Sequence, residues 1–243
     1  MTTNATTKLG RREFLLAGGT LLAGVALSSG ARSAEPGFKI GIVGSGRVGG
    51  ALGAIWLKAG HEVMFSSLDL EQDKALAARL GGKARAGTTR EAAAFGEVVL
   101  ISVPYAALPK VGKDLADLIK GKVVVDTCNP ILSRDGETAT WAREKGAGLA
   151  SAELLPGARL VRAFNAVGAA RLPEIANSKE KIGMPMAGDD AAAIAVASRL
   201  VREVGFEPVV VGPLAMGKYL IPGTPLAGEQ APDKLRQVAA TLK

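Results

Sequence analysis

The stretch "FKIGIVGSGRVGGALGAIWLKAGHEVMFSS", residues 38–67, decides the fold. Phe38 to Val43 is a short apolar run suited to a strand buried on both faces. Gly44, Gly46 and Gly49 follow as G-x-G-x-x-G, with Ser45, Arg47 and Val48 between them. A helix then runs to Lys58, Gly60 stops it, and Glu62 to Phe65 begins a second strand. Gly44 suits the tight turn, Gly46 a close approach of pyrophosphate to the backbone, and Gly49 the packing of helix on strand. The helix N-terminus offers free N–H groups and the positive end of its dipole to phosphates. Set between strand and helix, with a second strand following, the glycine pattern predicts dinucleotide binding.

The alternation continues along the chain. "EVVLISVP" (97–104), "KVVVDTCNP" (122–130) and "LVRAFN" (160–165) read as further buried strands. Amphipathic helices lie between them, for example Glu71 to Leu80 and Ala106 to Ile119. Such alternation implies an α/β fold, a Rossmann doubly wound parallel sheet, with ligands beyond the carboxyl ends of its strands. That rule places Val103, Pro104 and Tyr105, then Asp126 to Pro130, then Asn165, at the crevice. His61, the only histidine, precedes its strand at the opposite pole and reads as structural. Cys128 has no histidine to make it a thiolate and reads as a small, partly buried residue. One cysteine excludes an intramolecular disulfide, and one histidine excludes a multi-histidine metal site, so no metal is expected.

Bulk composition agrees with a globular protein, with 48% apolar and 22% charged residues in 243. Aromatics make up only 4%, so the core is expected to be aliphatic. The net charge of +7 is scattered, with no interleaved aromatics, which excludes nucleic acid as the expected partner. Part of that charge belongs to the N-terminus. There Lys8, Arg11 and Arg12 precede an apolar stretch from Phe14 to Leu27, and small residues follow through Ala34. This order reads as a signal peptide over 1–34, and its paired arginines resemble the twin-arginine export motif. Removing it takes away four bases (Lys8, Arg11, Arg12, Arg32) and one acid (Glu13), leaving +4. The expected location is periplasmic or otherwise extracytoplasmic, with export machinery as a partner. An uncleaved membrane anchor is the alternative, although the apolar run is short of the ~20 residues a span needs.

The segments "IGIVGSGRVGGALG", "AGHEVMFSS", "VVLISVP", "VVVDTCNP", "VRAFNAVG", "MAGDD" and "GFEPVVVGPL" together resemble a known family. It is that of the NADP-dependent oxidoreductases related to the NADPH:coenzyme F-420 reductases. Its cofactor domain is shared with pyrroline-5-carboxylate reductases and ferric-reductase oxidoreductase domains. The resemblance implies a Rossmann domain over 38–165 and a small C-terminal α/β lobe over 166–243, closing over the nicotinamide. It implies direct hydride transfer between nicotinamide and a small planar redox acceptor, such as a deazaflavin or flavin, with no catalytic acid–base residue. Gly44, Ser45, Gly46, Arg47, Val48, Gly49, Ser66, Ser67, Val103, Pro104, Asn129 and Asn165 would bind the cofactor. Val103, Pro104 and Asn129 would position the nicotinamide, and Asn165 would hydrogen-bond near it.

The family's Ser-Arg pair after the second strand departs here. Ser67 matches the serine, but Leu68 takes the place of the arginine that grips the 2′-phosphate. Arg47, or the hydroxyls of Ser66 and Ser67, could substitute. Asp69 lies 20 residues after Gly49, near the spacing of a ribose-binding acid, but past the strand end, where it would begin the next helix. The lack of an acid at Ser66 and Ser67 favours NADP, with NAD as the alternative. The dimerising helical domain of pyrroline-5-carboxylate reductases is also missing, which argues against that chemistry, and a homodimer is left open. Two other readings stand beside the leading one: a non-catalytic dinucleotide-binding protein, and a membrane-anchored ferric-reductase-like module.

Overall fold

The structure, a computed structural model, describes residues 1–3, 36–178 and 180–242. Apart from residues 1–3, the expected export signal lies outside the described residues. Residues 36–243 make one compact unit built on a single sheet of eight strands.

Along the chain, β1 (Lys39–Val43) leads into α1 (Arg47–Lys58), then β2 (Glu62–Ser66), α2 (Leu70–Leu80) and the short β3 (Ala84–Ala86). Next come α3 (Thr89–Phe95), β4 (Val98–Ile101), α4 (Leu108–Ile119), β5 (Val123–Asp126), α5 (Leu132–Lys145) and α6 (Ala147–Leu154). The remainder is β6 (Arg159–Arg162), α7 (Leu172–Ile175), β7 (Gly183–Gly188), α8 (Ala191–Glu203), β8 (Glu207–Gly212) and α9 (Pro232–Thr241). The order across the sheet is β3-β2-β1-β4-β5-β6-β7-β8, with all neighbours parallel except β6 and β7. The expected strands and helices fall where the periodicity put them, with ends shifted: β4 and β5 are shorter than expected, while β2 and α2 each gain a residue. The expected helix from Ala106 is divided, with one tight turn at Tyr105–Ala107 preceding α4.

Strand β4 shows why the sheet is covered on both sides. Val98 and Leu100 pack with Ile40, Ile42, Trp56 and Leu200 on one face. Val99 and Ile101 pack with Leu108, Leu115 and Ile119 on the other. Every residue of the strand is therefore apolar and buried.

The segment after residue 165 is α/β, as expected, but it does not stand apart from the Rossmann sheet. It turns back antiparallel beside β6, adds β7 and β8 to the same sheet, and lays α8 against α1. Trp56 Nε1 donates to the carbonyl of Leu200 at 3.0 Å. Phe164 packs edge-on between Trp56 and Phe206, at centroid distances of 6.0 and 6.3 Å. One apolar core therefore spans both halves of the chain.

Candidate functional site

Strand order reverses between β1 and β4, and there the sheet opens into a crevice at the carboxyl ends of β1, β4, β5 and β6. The crevice holds a cavity of about 850 Å³. Arg47 and Val48 line it from the glycine loop, Val103 and Pro104 from the turn after β4, and Asn129 and Asn165 from the turns after β5 and β6. The far wall comes from residues not expected from sequence. Ala166 to Ala169 stand there with the 222–228 loop, and the Gly228 N–H donates to the Ala166 carbonyl at 2.9 Å.

The glycine loop is built as its spacing required. Gly44 has φ +102°, and a Cβ there would meet the Ser102 carbonyl oxygen at 2.2 Å. A Cβ on Gly49 would meet the Gly44 carbonyl oxygen at 2.1 Å, so α1 sits against the loop. Gly46 has open space around its Cβ position. No side chain caps α1 and no acid lies in its first turn, so its leading N–H groups are left to an anionic ligand.

At the other end of the crevice, Asn129 Nδ2 donates to the Asn165 carbonyl at 2.8 Å. Asn165 Nδ2 donates to the Cys128 carbonyl at 3.4 Å. These bonds fix both amides, and their oxygens are buried with no donor among the described residues. Phe164 sets Asn165 in place: its φ of 63° is the only positive one of a non-glycine residue among those described.

Arg134 donates to both carboxylate oxygens of buried Asp135 and, through Nη2, to the Asn129 carbonyl at 2.9 Å. Burial pushes the Asp135 carboxyl up, but Arg134 and the N–H groups of Ile131 and Ala106 outweigh this and hold it below its usual range. The cluster ties the turn after β5 to the turn after β4.

Several expected crevice residues face elsewhere. Ser66 is fully buried and donates to the Ile42 carbonyl at 2.6 Å; only its backbone carbonyl serves the loop, accepting from Gly44 and Ser45 N–H. Tyr105 turns into the core, where its hydroxyl meets Ser151 Oγ at 3.0 Å, and burial raises its pKa. Asp126 lies beneath the crevice floor, paired with buried Arg162, because a charged strand end in a two-sided sheet must find a counterion. Arg162 was missed at the sequence level. It also donates to Ser151 Oγ at 3.0 Å and to the Cys128 carbonyl at 2.9 Å. Cys128 is buried, and burial pushes its thiol pKa well up. Asp69 caps α2, accepting the Gln72 N–H at 3.0 Å, and Leu68 is fully exposed. At the opposite pole, buried His61 accepts the Phe38 N–H at 2.8 Å and meets Glu203 at 2.6 Å, a structural role.

Residues 39–130 match the family described as NADP oxidoreductase, coenzyme F420-dependent. The F420-dependent NADP reductase of Methanothermobacter thermautotrophicus is 28% identical over 205 residues, covering 78% of this chain and 87% of that one. Metalloreductase STEAP3 of Rattus norvegicus is 30% identical over 186 residues, 74% of this chain but only 35% of its own length. Among solved structures, a hypothetical protein of Sinorhizobium meliloti superposes with TM-score 0.68 at 25% identity, covering 80% of this chain and 95% of that one. These likenesses and the crevice define the class: a Rossmann-type NADP-dependent oxidoreductase. Within it, the chain is similar to the F420-dependent NADP reductases, with the family match confined to residues 39–130.

Proposed function

We propose that the crevice transfers a hydride between NADPH and a small planar redox acceptor, a deazaflavin or a flavin. The observation that carries this is the crevice itself, lined by Arg47 and Val48 of the glycine loop, Val103 and Pro104 after β4, and Asn129 and Asn165 after β5 and β6. When bound, the reduced nicotinamide supplies the hydride. Asn129 and Asn165, with Val103 and Pro104, would line the nicotinamide's place and orient its ring. The N-terminus of α1 takes the pyrophosphate, and Arg47, which has no ion-pair partner among the described residues, supplies charge for the 2′-phosphate. No Asp, Glu, His or Lys lines the cavity. Its residues therefore position two flat rings rather than move a proton, which suits an acceptor protonated from solvent.

The test is NADPH oxidation by the full chain against a panel of deazaflavin, flavin and ferric chelate, with NADPH affinity measured in parallel. Turnover with a flat two-electron acceptor, and about tenfold weaker NADPH binding in Arg47→Ala, are expected. Affinity without turnover would mean a dinucleotide-binding protein. Turnover with the chelate alone would favour the metalloreductase-like reading, which the likeness to STEAP3 supports.

We also propose export by the twin-arginine route, supported by the order of bases, apolar run and small residues over 1–34. A mature mass lacking that segment, and retention in the cytoplasm of Arg11→Lys/Arg12→Lys, are expected. An unchanged mass in the membrane fraction would mean an anchor instead.

A further inference from the structure

Asp73 is a fully buried carboxylate in the first turn of α2, with no cation paired to it among the described residues. Ser67 Oγ lies 2.8 Å from Asp73 Oδ2, and Ser45 Oγ donates to Asp73 Oδ1. Ser45 belongs to the glycine loop and Ser67 follows β2, so their hydroxyls flank the place where this fold puts the adenosine ribose. A hydroxyl carries one proton. The carboxylate behind them is the nearer acceptor for both protons, the Asp69 carbonyl lying farther from Ser67 Oγ, at 3.2 Å. Ser67 Oγ also accepts the Asp69 N–H at 3.1 Å, so its remaining capacity is a lone pair. A ribose 2′-hydroxyl can donate to such a surface. A 2′-phosphate, which only accepts at neutral pH, meets lone pairs backed by a buried charge.

From this geometry we infer that Asp73 is a specificity-determining residue, lowering the preference for NADPH over NADH by holding the Ser45 and Ser67 protons away from the 2′ position. The inference rests on the crevice being the dinucleotide site. It assigns opposite roles to neighbours: Arg47 draws the 2′-phosphate in, while Asp73 limits the grip. The serine that resembles the family's phosphate ligand is thereby turned inward.

Asp73→Asn tests it, because the amide nitrogen must donate to one serine oxygen and so turn that serine's proton outward. Dissociation constants for NADPH and NADH are measured by fluorescence titration of the full chain. The expected result is a shift of about tenfold in their ratio toward NADPH, carried by tighter NADPH binding. The gain should vanish when Ser45→Ala and Ser67→Ala are added, which a merely structural role would not produce. If Asp73→Asn does not fold, Asp73→Ser removes the same charge and should shift the ratio the same way. A ratio within twofold of wild type in the folded variant overturns the role of Asp73 alone. A wild-type chain that binds neither dinucleotide overturns the reading of the crevice as well.

Discussion

Arg162 and Asp126 are both fully buried under the crevice floor and form an ion pair there. Asp126 Oδ1 also accepts the Cys128 N–H at 2.7 Å, holding the turn that carries Asn129. Removing one partner of such a pair strands a charge where water cannot reach it. Arg162→Met should therefore cost about 3–5 kcal/mol of stability, read by urea unfolding. Adding Asp126→Asn should recover part of that loss, since no charge then remains buried. If Arg162→Met unfolds like wild type, the pair is not a structural support of the crevice.

At the scale of elements, the glycine loop separates folding from binding. Gly49→Ala drives a Cβ against the Gly44 backbone, so both the melting temperature and dinucleotide affinity should fall. Gly46→Ala meets nothing in the protein. It should melt within a few degrees of wild type, yet bind NADPH at least about tenfold more weakly, because its methyl occupies the ligand's space. Equal losses of melting temperature in the two variants would contradict this division. The loop was legible because its period and glycine spacing are local properties, as were the buried strands β1, β4 and β5. Asp73 and Arg162 were not, since each acquires its role only when the fold brings residues 28 and 36 positions away against it. Tyr105 misled because a residue just past a strand end can still turn into the core. The 222–228 wall was invisible for the same reason: nothing periodic marks a loop that returns across a sheet.

For the whole molecule, α8 is fastened to the preceding half at both ends. At its start Asp190 caps the helix and pairs with Arg159 on β6, at 2.7 and 2.8 Å. At its end Glu203 meets His61 and Arg199. Arg159, together with the Ala193 N–H, holds the Asp190 carboxyl well below its ordinary range. Burial raises Glu203, but His61 and then Arg199 bring it below its usual value. Depressed carboxylates stabilise the fold at pH above their unfolded values, near 4, and that contribution is lost as pH falls through the folded values. The urea midpoint should therefore drop below about pH 4, and less steeply in Asp190→Asn/Glu203→Gln. Identical acid profiles would show that other groups govern the transition. The left-handed backbone at Phe164 has a consequence of another kind. Its ring is seated by Trp56 from one half of the chain and Phe206 from the other, so the conformation that presents Asn165 depends on both. A recombination breakpoint near residue 165 would thus yield a chimaera with an intact glycine loop and a misaimed amide. The two halves are exchangeable between relatives only if the aromatic seat travels with them.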